Sequence, residues 1–421
     1  MALKPPSAID SQGRHRIPDV YGRPRVAVIG AGIVGLAHAW AAVRRGWHVL
    51  LFERDRQAQG ASMRNFGMVW PIGQSHGPLH STALKSRLLW LQLVQETGFW
   101  SKRCGSLHLA YRPDELAVLS EFARLAPTLG IACELLDATT VVARSPAVCP
   151  DGLLGGLASD AEMCVDPREI ISRMPWWLHE VHGVELHFGA PIDRIGTGVV
   201  AAADGATWNV DRVVVAAGAD FRLLYPDLYA QAGFRRCKLQ MMRTVPQPGG
   251  WELGPMLAGG LTLRHYHAFR VCQTLADLER RIEDESPELN RYGIHVMASQ
   301  NGCGEVILGD SHEYDEQITP FDKTLIDKLI LREIRRIAEL PDWTIQQRWH
   351  GIYPVAPNGI EFAAEPEPNV HLAIASGGCG MTMSFGLAEE KWLAWHGPVE
   401  AGELASHSTV ASMPAKIAAP A

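Results

Sequence analysis

Residues 25–53, RVAVIGAGIVGLAHAWAAVRRGWHVLLFE, constrain the fold more than any other stretch of the chain. They read as a strand over 26–29, a glycine turn at Gly30, Gly32 and Gly35, a helix over 33–45 and a second strand over 49–52 that ends in an acid. This is the pattern of a βαβ unit that binds a dinucleotide. Gly30 permits the tight turn, Gly32 lets the backbone approach a pyrophosphate, and Gly35 lets helix and strand pack closely. The first helical turn, with Ile33 and Val34, presents unpaired N–H groups and a positive dipole end to phosphates. Ile33, Leu36, Trp40 and Val43 recur at helical spacing and would lie against the sheet. Glu53, a little over the usual ~20 residues into the unit, is placed to accept hydrogen bonds from a ribose diol. Residues 26–43 carry no charge, but the run barely reaches the ~18 residues of a membrane helix and is broken by glycines and His38, which argues against a span.

The chain has 421 residues, 47% of them hydrophobic, ample for a sizeable core and two or three domains. A net charge of -7 and the lack of a basic run argue against a nucleic-acid partner. The first 24 residues have no apolar core of the secretory kind, and a cytoplasmic location is expected. Eight cysteines are scattered without a CxxC pair, so reduced thiols and no metal site are expected.

Residues 57–77 form a long loop of the kind that is usually functional. Ser62, Arg64 and Asn65 offer polar donors to a cofactor, and Gly67 with Met68 offers close backbone approach. Helices are expected over 81–97 and 113–129, with a strand over 106–111 between them. Asp166 reads as an N-cap with Pro167 in the first turn of a helix that ends near Gly183, followed by strands over 184–188 and 192–195. The apolar run 212–218, RVVVAAG, reads as a buried parallel strand in the same sheet as the fingerprint, so the nucleotide domain is assembled from separated pieces. From about 234 to 320, CKLQMMRTV, GLTLRHYHAF, YGIHVMASQ and GEVILGDSHEY suggest an antiparallel sheet with one wet face. A charged helix over 275–285 interrupts it. A helix over 321–340, strands over 345–353 and 371–376 and a last helix from 387 complete the reading.

The fingerprint, Glu53, the VDP-started helix, the VVVAAGA strand and the SGGCGMTMSFG segment together resemble the D-amino-acid oxidase superfamily of FAD enzymes, which includes glycine and sarcosine oxidases. GASMRNFGMVWPIGQ, GLTLRHYHAF, YGIHVMASQ and LGDSHEYD are similar to a subgroup associated with bacterial aminophosphonate degradation. The resemblance implies an α/β fold: a Rossmann-like FAD-binding domain (25–103, 152–233 and 341–400) and a discontinuous second domain on a mixed or antiparallel sheet (104–151 and 234–340), with flexible tails at 1–24 and 402–421. It implies noncovalent FAD, because Gly351 stands where sarcosine oxidases carry the flavin-linked cysteine. It places Gly30, Gly32 and Gly35 at the pyrophosphate, Glu53 at the adenosine ribose and Ile192 near the adenine. Arg54, Ala217 and Gly218 fall beside them. The 62–68 loop and Gly378, Gly380, Met381 and Thr382 fall along the flavin.

The family's substrate-clamping arginine is replaced in WHGIYP by Tyr353, so Arg264, His295 and His312 are the candidates, with Tyr353, for holding an anionic amine. His265 and His267 lie in the same segments. The resemblance implies oxidation of a C–N bond by hydride loss to FAD and imine hydrolysis, on 2-aminoethylphosphonate or its N-methyl derivative, giving phosphonoacetaldehyde and an amine. Oxygen or another carrier takes the electrons. A sarcosine- or glycine-type oxidase, a flavin subunit of a hetero-oligomer, and an NADP protein with Arg54 at the 2′-phosphate are the alternatives.

Overall fold

A computed structural model describes residues 22–315, 318–357 and 359–396, with two short paired strands, Ala8–Ile9 and His15–Arg16, ahead of them. Apart from those strands and residues 22–24, the expected tails lie outside the described residues.

The fingerprint strand Arg25–Ile29 lies inside a six-stranded sheet. Its order is Glu185–Phe188, His48–Glu53, Arg25–Ile29, Arg212–Val215, Val370–Ala375 and Glu361–Glu367, with only the last strand antiparallel. Val213 pairs with Ala27 and Val215 with Ile29, as the RVVVAAG run leads one to expect. These inner strands are apolar on both faces because both faces are covered. One face packs under the helices Ile33–Val43, Pro78–Thr97, Pro167–His182 and Gly380–His396, where Trp40, Trp90, Phe385 and Trp392 are buried together. The other lies under the meander Ile192–Gly196, Val199–Ala202 and Thr207–Asn209. The Pro167 helix is capped as its sequence dictates: the Asp166 carboxylate accepts from the N–H groups of Arg168 and Glu169, and Gly183 closes the helix at φ 71°.

The second sheet has nine strands and is mixed. Arg235–Pro246 is its spine, flanked on one side by Glu305–Gly309 and Glu313–Tyr314 and on the other by Ile345–Val355. Met297–Gln300, Met256–Ala258, Ser106–Ala110, Gly155–Ser159 and Glu134–Asp137 continue it, and only Met256–Ala258 and Ser106–Ala110 run parallel. Gly155–Ser159 and Ile345–Val355 therefore pair in this sheet and not in the nucleotide sheet to which their sequence ranges assign them. The expected wet face is covered. Lys238 is fully buried, donating to the carbonyls of Thr319 (2.9 Å) and Phe321 (2.6 Å) and pairing with Asp322, while Gln240 binds Asp327 on the helix Thr324–Ile337. The alternating polar residues make buried hydrogen bonds instead of meeting water.

GLTLRHYHAF is not a strand. It folds as two 3-10 turns, Gly260–Arg264 and His267–Val271, beneath the helix Pro113–Leu129. A Cβ on Gly260 would lie 2.1 Å from the Glu115 carboxyl carbon, so the missing side chain lets this turn pack against Glu115. The last helix begins at Gly380, a turn and more before the position expected, and it buries the whole MTMSFG run, with Met381 and Phe385 one turn apart.

Candidate active site

The two sheets enclose a cavity of about 1370 Å³. Its nucleotide end is built by the carboxyl ends of the parallel strands, where open α/β sheets bind ligands. Gly30 has φ +104°, and a Cβ there would meet the Ala216 carbonyl oxygen at 2.4 Å, so the turn is closed to any side chain. Glu53 is buried at the end of its strand; its carboxylate accepts from the Ala31 N–H (3.0 Å) and the Asp55 N–H (3.2 Å) and faces the cavity. Gly32, Ile33, Val34, Ile192, Ala217 and Gly218 also line this end. Gly35 does not. Its Cβ position lies 1.8 Å from the Gly30 carbonyl oxygen, so its work is packing the helix onto the turn. Arg54 lines the rim but is exposed and paired with Asp220. Two carboxylates, Glu53 and Asp220, thus stand where a 2′-phosphate would have to sit, which argues against the NADP reading.

The 57–77 loop crosses the middle of the cavity. Ser62 Oγ accepts from the Ile33 N–H at 3.0 Å and leaves its own hydrogen free for a ligand. Arg64 donates to the His350 carbonyl, and Asn65 is spent on its own loop, bonding Ala61, Ser62 and Gly67. Both still line the cavity, as does Met68. Gly67 does not: at φ +75° its close approach is to Val165, whose carbonyl oxygen would be 2.0 Å from an added Cβ. Across the cavity, Gly378, Gly380, Met381 and Thr382 form the turn and first helical turn, whose N–H groups have no partner within the helix.

At the inner end Tyr353 is buried, with Gly378 against its ring and His312 edge-on at 6.2 Å between centroids. Burial pushes its phenol well above the usual range, and the same holds for Tyr266 beside it. His265, His295 and His312 stack on one another, with centroids 4.2, 5.0 and 5.1 Å apart. His295 Nε2 lies 2.6 Å from Asp310 Oδ1, while His295 Nδ1 has no hydrogen-bond partner among the described residues. Burial holds His265 well below its ordinary pKa and lowers His312. Burial also acts to raise Asp310, yet His295 and His312 hold it below the carboxylate range. Arg264 lines the cavity, but its guanidinium donates to the carbonyls of Ile294 (2.8 Å), Leu289 and Leu261, and burial lowers its pKa to about 10. His267 is exposed at the rim. Asp310 stands two residues before His312 in LGDSHEYD, but its approach to His295 comes from strand pairing and not from any spacing in the sequence.

These features define a two-sheet α/β protein with a dinucleotide cradle at one end of a cavity and ionisable groups at the other. The model for the DAO family, described as FAD dependent oxidoreductase, matches residues 25–391, and the chain belongs to that family. The bifunctional protein ThiO/ThiG of Nostoc sp. is 24% identical over 367 residues, covering 83% of this chain and 49% of that protein. The tRNA 5-methylaminomethyl-2-thiouridine biosynthesis bifunctional protein MnmC of Burkholderia thailandensis is 29% identical over 409 residues, covering 86% and 56%. The chain thus spans about half the length of these curated relatives. Among solved structures, glycine oxidase from Geobacillus kaustophilus superposes with a TM-score of 0.69 at 18% identity, over 92% of this chain and all of that one. Iminodiacetate oxidase from Chelativorans sp. gives 0.66 at 18%, over 88% and 96%. These likenesses concern the fold. No helix among the described residues is long and apolar enough to cross a membrane.

Proposed function

We propose that this FAD-dependent oxidoreductase oxidises the C–N bond of a small amine that carries an anionic, oxygen-rich group, and that a short aminophosphonate such as 2-aminoethylphosphonate or its N-methyl derivative fits best. The observation that carries the reading is the inner end of the cavity, where Tyr353 and three stacked imidazoles take the place of a carboxylate-clamping arginine. Arg264, the guanidinium nearest by, is spent on backbone carbonyls.

The residues present fit FAD: the Gly30–Gly32 turn would leave room for a pyrophosphate, Glu53 would accept from a ribose, Ile192 would wall the adenine, and the turn at Gly378 would face the flavin. Bound FAD supplies the two-electron oxidation. The chain binds and orients. Burial, with Cys237 alongside, keeps the proton on Tyr353, and a substrate would draw the hydroxyl hydrogen away from that thiol. Trp70, Tyr266 and Met297 wall the inner end and favour a neutral amine over an ammonium. The phosphonate's three oxygens are directed to the inner end of the cavity, lined by Tyr353, His265, His295 and His312.

A second reading, an oxidase of glycine- or sarcosine-like amino acids, is favoured by the likeness to glycine oxidase. Anaerobic bleaching of the bound flavin separates the two. With 2-aminoethylphosphonate, its N-methyl form, glycine, sarcosine and D-alanine as the panel, bleaching by the phosphonates alone is expected. Bleaching only by the carboxylates would replace the first reading with the second.

A further inference from the structure

His265, His295 and His312 come from three segments, and their ring nitrogens lie within 4.8 Å of one another. Their protons can be placed. His312 Nδ1 is 3.0 Å from the Gly293 carbonyl oxygen, which can only accept, so Nδ1 carries the hydrogen and a neutral ring turns the Nε2 lone pair away from it. His295 Nε2 faces the Asp310 carboxylate, which likewise demands the hydrogen and leaves Nδ1 as a lone pair. Nδ1 of His295 and Nε2 of His265 are buried with no hydrogen-bond partner among the described residues. Buried polar atoms are normally satisfied, so such a cluster calls for a ligand.

Lone pairs do not hold an anion. Protonating three rings in mutual contact would place three positive charges beside Arg264, whereas one divalent cation brings two and has the Asp310 carboxylate next to it. The surroundings suit a cation as well. Metal-bound histidines typically donate their other N–H to a carboxylate or a backbone carbonyl, and Asp310 and Gly293 stand in those places. The frame is braced: Asp310 N donates to the His295 carbonyl (2.9 Å) and His312 N to the Tyr292 carbonyl (2.8 Å). Three nitrogens on a tetrahedral ion stand about 3.3 Å apart with each ring plane pointing at the ion, so the rings, stacked at 25°, 21° and 17°, turn out of the stack to close the site. A second cavity of about 530 Å³ backs onto it through Arg264 and His265, between Glu279, Arg280 and Glu283, and offers a way in.

We propose that His265, His295 and His312 bind one divalent transition-metal ion of the zinc type, with an open coordination position toward the substrate cavity. Three imidazoles with an open fourth position suit zinc. In the complete arrangement an oxygen of the substrate's anionic group takes that position, a part that rests on the function proposed above.

Holoenzyme incubated with zinc and then gel-filtered should retain about one zinc per chain. His265→Gln and His312→Ala should each bind it more than about tenfold more weakly while keeping FAD, and Asp310→Asn about tenfold more weakly through ring orientation. A parent protein that retains no zinc, or variants that bind it as tightly, would overturn the site. Retained flavin in each variant excludes simple misfolding. With cobalt in place of zinc, 2-aminoethylphosphonate should shift the visible metal bands to the red of the flavin; unchanged bands would overturn coordination by substrate. Zinc retention without flavin bleaching by any phosphonate would defeat the function proposed and leave the metal site standing. Bleaching in a protein that binds no zinc would do the reverse.

Discussion

Replacing Glu53 tests whether the cradle holds the cofactor as its geometry implies. In Glu53→Ala the Ala31 N–H, in a residue 1% exposed, loses its acceptor and has no water to replace it, which costs about 1–3 kcal/mol of stability. The Asp55 N–H belongs to an exposed residue and rehydrates, adding little. A charged hydrogen bond to a ribose hydroxyl contributes about 1.5–3 kcal/mol, so loss of the carboxylate should raise the Kd for FAD roughly 10- to 100-fold. Glu53→Gln keeps a carbonyl for Ala31 and should recover most of the stability but only part of the affinity. The assay is FAD titration of flavin-stripped protein by fluorescence, alongside urea unfolding of the same apoproteins. An alanine variant whose Kd stays within about threefold of the parent would refute the ribose assignment, since even one neutral hydrogen bond is worth about that much.

Gly67→Ala should lower stability by about 2 kcal/mol or more, because the new methyl meets the Val165 carbonyl at a positive φ, while FAD stoichiometry holds; an unchanged melting temperature would refute this. Tyr353→Phe should weaken catalysis or substrate binding without loss of FAD, and unchanged steady-state kinetics would remove its hydroxyl from the site. His108 is fully buried, with neither ring nitrogen hydrogen-bonded among the described residues, and burial lowers its pKa to about 3. The unfolded chain takes up a proton there below about pH 6.5 and the folded chain does not, so this stability is present above that pH and drains as the pH falls. His108→Phe, packed between Trp70 and Phe269, should remove about 2 kcal/mol of the loss between pH 6.5 and 5, measured as the difference in urea unfolding between the two proteins. Parallel pH profiles would contradict it.

Much of the nucleotide half was legible because its signals are local. The glycine turn, the Asp166–Pro167 helix start and the valine run at 213–215 each fix their own backbone, and the sheet follows from pairing apolar strands. The second half was less so. GLTLRHYHAF alternates in a way that mimics a strand, yet Leu261, Leu263, Ala268 and Phe269 all reach the core from turns. Lys238 and Gln240 read as solvent-facing because nothing nearby in sequence announces that a later helix covers them. In the site, Gly35 packs the helix onto the turn as its place in the fingerprint implies, Gly67 packs against Val165 and does not line the cavity, and Arg264 was a sound candidate whose guanidinium is committed elsewhere. Asp310 and the convergence of three histidines depend on strand neighbours distant in sequence, which no spacing rule reaches.

The six-stranded sheet carries a consequence for how the protein comes to exist. Its fingerprint strand has Arg212–Val215 as its inner neighbour, and that strand in turn is closed by Val370–Ala375 near the far end of the described chain. Among the described residues, the turn that starts the cradle and the helix at Gly380 that faces it across the cavity are separated by most of the chain. During synthesis the open edge of the βαβ unit is therefore covered only when Arg212–Val215 has emerged, and the edge of that strand only when Val370–Ala375 has. Such long-range closure folds slowly and leaves a paired-strand template exposed meanwhile. The protein should depend on prompt cofactor capture and chaperone protection during that interval more than its final, fully covered sheet would suggest.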